Sequence, residues 1–233
     1  MSAGSPVFSR LRGHAELAVY IDLKSPYAFI AIEPTRDMAR AAGVAIDWRP
    51  FTLDIPSYLG SARLDAKGRV AESDRTPEQW TGVRYAYRDA RRYARLRGRT
   101  LRGTEKIWDS SGAGLAMLWA KRQSGQALDR FLDAAYERFW RRDLDIERPE
   151  VLEALLAETG SAVAGFADWA RGAGREALEA LEREAFDAGL FGVPSYLVGD
   201  ELWWGREHLP RVQWLLAGRR GAPPDAAYRS FRP

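Results

Sequence analysis

A chain of 233 residues with 46% hydrophobic and 29% charged side chains can bury a sizeable core in one or two domains, which excludes disordered and fibrous classes. Its 35 Lys and Arg against 32 Asp and Glu leave a net charge of only +3, with no long like-charge block, so no nucleic-acid partner is implied. Cys is absent, which removes disulfides, CxxC redox chemistry, thiolate metal sites and cysteine nucleophiles together.

The first sixteen residues hold no apolar run of signal-peptide length, and no uncharged stretch approaches the ~18 residues of a spanning helix. A soluble, cytoplasmic protein with no membrane partner is expected. Leu17-Ala18-Val19-Tyr20-Ile21 is a short β-favouring run that stops at Asp22, where a helical pattern begins: strand, tight turn, helix. Ser25 can N-cap that helix, Pro26 takes its first position, and Phe29, Ile30, Ile32, Met38 and Ala42 form its apolar face before Gly43. Pro34 predicts a kink. Val44–Trp48 reads as a second strand, parallel to the first.

From Phe51 to about Thr76 the chain is rich in Pro, Gly, Asp and Ser without clear periodicity, and reads as a long loop. Pro77 to about Gly189 is helical in pattern, with breaks near Gly98 to Gly103, at Gly125, at Arg148-Pro149 and at Gly160, leaving room for five or six helices. Val193–Val198 and Glu201–Trp204 are β-like runs separated by Gly199-Asp200, a two-residue hairpin signal. A last helix is expected from about Glu207 to Ala217, ended by Gly218, before a polar, Pro-rich tail.

The segment Asp22-Leu23-Lys24-Ser25-Pro26-Tyr27 carries the chemistry, because it sets a hydroxyl at a helix N-terminus directly after a strand. Backbone N–H groups and the helix dipole favour negative charge there, including a thiolate. Ser25 is either an N-cap alone or an N-cap that also donates its proton to a ligand's sulfur, since a hydroxyl accepts and donates at once. With only His14 and His208 in the chain, and neither near Ser25 in sequence, a thiolate brought by a cofactor fits better than a serine nucleophile. Lys24 either adds positive charge beside that sulfur or is simply solvated. The prolines offer a second signal at Gly192-Val193-Pro194, just before a strand. Arg84, Arg88, Arg91, Arg92 and Arg95 form a run at partly helical spacing, read as a solvated face or as carboxylate recognition; if one is functional it is Arg88, which shares a face with Tyr85. Trp80, Trp108, Trp119, Trp140 and Trp169 read as core.

Taken together, Asp22-x-x-Ser25-Pro26-Tyr27-Ala28, Arg49-Pro50-Phe51, the helix bearing Tyr85 and Asp89 through Ala94, Gly192-Val193-Pro194 and Trp204-Gly205-Arg206-Glu207 resemble one family over about Ala18 to Ala217. It is the DsbA-like thioredoxin-fold group that contains 2-hydroxychromene-2-carboxylate isomerases and kappa-class glutathione transferases. The resemblance implies an α/β thioredoxin-like domain over 15–76 and 175–220, an all-helical insertion over 77–174 and a tail over 221–233. It implies glutathione as cofactor, with Ser25 hydrogen-bonding its sulfur and Lys24 beside it. Val193, before a cis Pro194, would pair with its cysteinyl unit, and Gly205, Arg206 and Glu207 would hold its γ-glutamyl end. Arg206-Glu207 departs from the family's commoner small-polar and acidic pair. For the substrate, an unsaturated or aromatic small acid, the resemblance points to Tyr27, Asp54 in the loop after Phe51, Tyr85 and Arg88. The activity implied is a glutathione-dependent isomerase working by reversible thiol addition, with a kappa-like transferase or a non-catalytic binding protein as alternatives. A homodimer is compatible with all three.

Overall fold

The computed structural model of the chain describes residues 6–225. In chain order its elements are α1 (Pro6–Arg12), β1 (Leu17–Ile21), α2 (Pro26–Ala42), β2 (Ile46–Pro50), α3 (Ile55–Leu59), β3 (Ala62–Leu64), β4 (Val70–Ser73) and α4 (Pro77–Leu96). There follow α5 (Ser111–Gln123), α6 (Gly125–Arg141), α7 (Pro149–Glu158), α8 (Phe166–Arg171), α9 (Ala173–Asp187), β5 (Ser195–Val198), β6 (Glu201–Trp204), a 3-10 turn (Arg206–His208) and α10 (Leu209–Leu216). They form two compact units: residues up to Phe51 together with those from Glu179, and Thr52–Leu178.

The first unit is built on a four-stranded sheet in the order β2-β1-β5-β6. β1 pairs parallel with β2, from Leu17 opposite Ile46 to Ile21 opposite Pro50, as the β-α-β opening predicts. It pairs antiparallel with β5, Leu17 facing Val198 and Tyr20 facing Ser195. As the inner strand, β1 is buried on both faces, which explains why it reads as an unbroken apolar run instead of an alternation. β5 and β6 close as the expected hairpin, with Gly199 in the left-handed region at φ +60°.

α2 starts as its sequence predicts, on Ser25 with Pro26 in the first turn, and runs as one helix through Pro34. It ends on Gly43 at φ +72°, whose N–H reaches the carbonyls of Ala39 and Arg40. The Val44 N–H also bonds Ala39 O, at 3.0 Å, so Val44 closes the helix and β2 begins two residues later than its apolar run suggests.

The second unit corrects the long loop expected from Phe51 to Thr76. That stretch holds α3 and a small hairpin, β3 with β4, turned by Asp65 to Gly68. The Asp65 carboxylate accepts the N–H groups of Lys67 and Arg69, and Gly68 takes φ +75°. β4 is exposed throughout, so it carries no apolar alternation to be read. Between Pro77 and Gly189 the described residues form six α-helices, with breaks where glycines and Arg148-Pro149 place them. α6 shows the cause of the bundle: Leu128, Phe131, Leu132, Ala135, Tyr136 and Phe139 recur at helical spacing and are buried, in a unit where α5, α6 and α7 pack on one another. Among the described residues no helix is long and apolar enough to cross a membrane. Of the expected tail, residues 226–233 lie outside the described residues.

Candidate functional site

Antiparallel pairing decides what meets at the end of the sheet. Because Tyr20 lies opposite Ser195, and Ser195 opposite Trp204, the exit of β1, the entry to β5 and the exit of β6 share one end of the first unit. Three segments therefore converge: Asp22 to Ser25, Phe191 to Pro194, and Gly205 to His208. The Gly205 N–H donates to Pro194 O at 2.9 Å, and the 3-10 turn at Arg206–His208 packs against α2.

Ser25 is 4% exposed with its backbone extended, the geometry of an N-cap, and its Oγ accepts the Ala28 N–H at 3.2 Å. Its own hydroxyl proton has no protein acceptor among the described residues. Lys24 is not solvated. It is 8% exposed, and its Nζ lies 3.7 Å from Asp22 Oδ2, while Asp22 Oδ1 accepts the Lys24 backbone N–H. Its charge beside Ser25 is therefore answered by a buried carboxylate, and the two act on any ligand as a pair.

The Val193-Pro194 peptide is cis, as the resemblance implies. Val193 is buried, and its N–H and C=O take no protein partner among the described residues, although ladder bonding starts at Ser195. Gly205 stands at φ +101°, and a methyl there would meet both Glu207 carboxylate oxygens at 2.5 Å. Only glycine lets Glu207 fold back over this turn.

The four residues expected to touch substrate divide between the units. Tyr27, half-buried in the first turn of α2, belongs to the first. Asp54, exposed at the start of α3, Tyr85, 58% exposed on α4, and Arg88, also on α4, belong to the second. Arg88 lines a cleft within that second unit and Tyr85 does not. Of the five tryptophans read as core, Trp140 is fully buried, the others are half-buried, and Trp80 lines the same cleft.

Several residues near this end of the sheet escape sequence reasoning. Phe191 and Trp204 are 65% and 46% exposed with ring centroids 5.1 Å apart, and Gly192 allows the contact, since a methyl there would meet the Trp204 Nε1 at 2.7 Å. Tyr196 is fully buried and shares a hydrogen bond with Thr35 across 3.1 Å; burial drives its phenol far above the ordinary range. Arg49 is a structural clamp. It donates to Asp47 Oδ2 through Nε and Nη2 at 2.8 and 2.7 Å, to Leu11 O and Arg12 O at 2.6 and 2.9 Å, and to the Tyr20 hydroxyl at 3.1 Å. Burial raises the Tyr20 pKa, partly offset by that bond. Trp204 and Arg49 stand inside the motifs that carry the resemblance, but their pairing with distant partners leaves no local signature.

Against known proteins, the DSBA-like thioredoxin domain matches residues 16–217. The chain is 28% identical over 198 residues to a 2-hydroxychromene-2-carboxylate isomerase of Sphingobium xenophagum, covering 84% of this chain and 95% of that one. It is 24% identical over 194 residues to the enzyme of the same name from Pseudomonas putida, covering 82% and 88%. Among solved structures, a probable DsbA oxidoreductase from Streptomyces coelicolor superposes with a TM-score of 0.67 at 19% identity, covering 90% of this chain and 92% of that one, and shares its fold. With residues 16–217 matched by that family model, the chain belongs to the family of DSBA-like thioredoxin domains.

Proposed function

We propose that this protein is a glutathione-dependent isomerase of the 2-hydroxychromene-2-carboxylate isomerase type, acting on an unsaturated, aromatic-derived acid. The reading is supported most by one observation: a buried serine hydroxyl at the N-terminus of a 17-residue helix, its proton uncommitted to the protein, in a chain without cysteine. Two relatives bearing that enzyme name align over most of the chain.

Glutathione, when bound, supplies a thiol that can add to a conjugated acid and leave again unchanged. The protein's share is to hold and charge that thiol. Ser25 donates its free proton to the sulfur, and the N-terminal dipole of α2 favours the anionic form. The open N–H and C=O of Val193 offer a strand-like pairing surface for a peptide unit, which glutathione has. Gly205, Arg206 and Glu207 face its γ-glutamyl end with one cation and one anion, matching an amino acid's two charges. Tyr27, in the same unit as Ser25, is the proposed substrate contact.

Incubating the protein with 2-hydroxychromene-2-carboxylate and a small fraction of an equivalent of glutathione tests this. The expected result is conversion to an isomer of the same mass with glutathione undiminished. Consumption of one glutathione per product means net transfer, and conversion that proceeds equally without any thiol contradicts the proposal.

A further inference from the structure

The arginine run on α4 has a use that the thiol site does not absorb. At 3.6 residues per turn, Arg84, Arg88, Arg91, Arg92 and Arg95 fall within an arc of about 100°. All five line a cleft of about 560 Å³ that lies wholly within the Thr52–Leu178 unit, a volume in the range of small-molecule sites. Arg75, Lys106 and Arg142 line the same cleft.

Carboxylates answer only part of this charge. Arg142 pairs with Glu105 at 3.4 Å, Arg92 with Asp89 at 3.8 Å, and Lys106 with Glu147. Arg75, Arg84, Arg88, Arg91 and Arg95 have no ion pair among the described residues. Two of these are nonetheless held in place: Arg75 by Gly60 O and the Trp80 ring, Arg91 by Leu101 O and the Tyr87 ring. Arg84, Arg88 and Arg95 are exposed and Arg75 and Arg91 half-buried, and five unanswered guanidinium groups around one concavity repel one another. The lining is also apolar and aromatic, with Val83 buried and Trp80, Tyr87 and Ile107 half-buried.

We propose that this cleft is a binding site for a small aromatic polyanion, a planar ring carrying two or more carboxylate or phosphate groups. Guanidinium forks suit both kinds of anion, and guanidinium planes stacked on Trp80 and Tyr87, with apolar lining beside them, suit a ring. A single carboxylate leaves most of the cationic lining unanswered, and a polyanion without a ring leaves the apolar and aromatic lining unused. All its lining residues belong to the second unit, and Ser25 belongs to the first.

Calorimetric titration of the whole protein with four probes tests it: trimesate (a benzene ring with three carboxylates), ATP, benzoate and the ring-free tricarballylate. Saturable binding of trimesate or ATP is expected, tighter by at least about tenfold than that of benzoate and tricarballylate, and the tighter of the two names the kind of anion. Arg88→Gln with Arg95→Gln should weaken it by at least about tenfold, as should Arg84→Gln alone, with circular dichroism unchanged. Ser25→Ala should leave it intact. The proposal is overturned if neither trimesate nor ATP saturates, if the arginine variants bind as before, if Ser25→Ala abolishes binding, or if random-sequence duplex DNA binds more tightly than every small probe.

Discussion

Arg49 illustrates how one side chain can organise a whole edge of the sheet. Its five donors reach a carboxylate, two carbonyls at the end of α1 and the Tyr20 phenol, so it satisfies the orphan carbonyls of that helix while neutralising Asp47. A lysine offers one compact cation and cannot span these acceptors. Replacing Arg49 with Ala removes its ion pair with Asp47 and the donors to the Leu11 and Arg12 carbonyls, and should cost about 2–4 kcal/mol, with Lys recovering less than half. Limited proteolysis should then cut first around α1; wild-type resistance there in both variants contradicts the clamp. Arg49 was visible in the sequence only as part of a resemblance, because its partners lie up to 38 residues away and share no local pattern with it. Ser25 was legible for the opposite reason: its cap partner Ala28 is three residues on, within reach of local rules.

At the scale of elements, β1, α2 and the β5–β6 hairpin are legible because burial on both faces, an N-cap with proline and a Gly-Asp turn are all local signals. The β3–β4 hairpin is not. Its strands are three and four residues long, and their side chains are mostly solvated, so no periodicity survives; only Asp65 and Gly68 mark the turn. The Tyr196 to Thr35 bond ties β5 to α2 beneath the candidate site. Because burial raises the Tyr196 pKa above its ordinary value of 10.0, the stability it contributes is complete below that pH and is lost as the pH climbs beyond it. Tyr196→Phe should cost about 1 kcal/mol at neutral pH, since the Thr35 hydroxyl loses its partner. The same variant should lose less stability than wild type between neutral pH and strong alkali, with the remaining slope carried in part by Tyr20, whose pKa is shifted the same way. Parallel alkaline denaturation curves for the two proteins would falsify this assignment.

For the molecule as a whole, a ligand that binds only the folded state shifts unfolding by RT ln(1 + [L]/Kd), about 2.7 kcal/mol at a hundredfold excess. For a chain of this size that corresponds to a rise in Tm of roughly 5–10 °C. Glutathione and S-methylglutathione are expected to give such a rise, while cysteine and mercaptoethanol, which lack the γ-glutamyl end, give little. A rise of equal size with mercaptoethanol contradicts the roles assigned to Gly205, Arg206 and Glu207.

The proposed role of Ser25 is tested most directly by the ionisation of glutathione on the protein, followed by thiolate absorbance against pH for wild type and Ser25→Ala. Loss of one charge-assisted hydrogen bond to the sulfur is worth about 1.5–3 kcal/mol, so the thiol pKa should rise by roughly one to two units in the variant. Loss of the cap should lower stability by only about 1 kcal/mol, leaving the fold intact for the comparison. Superimposable titrations of the two proteins, both saturated with glutathione, would mean that Ser25 caps α2 and does nothing more.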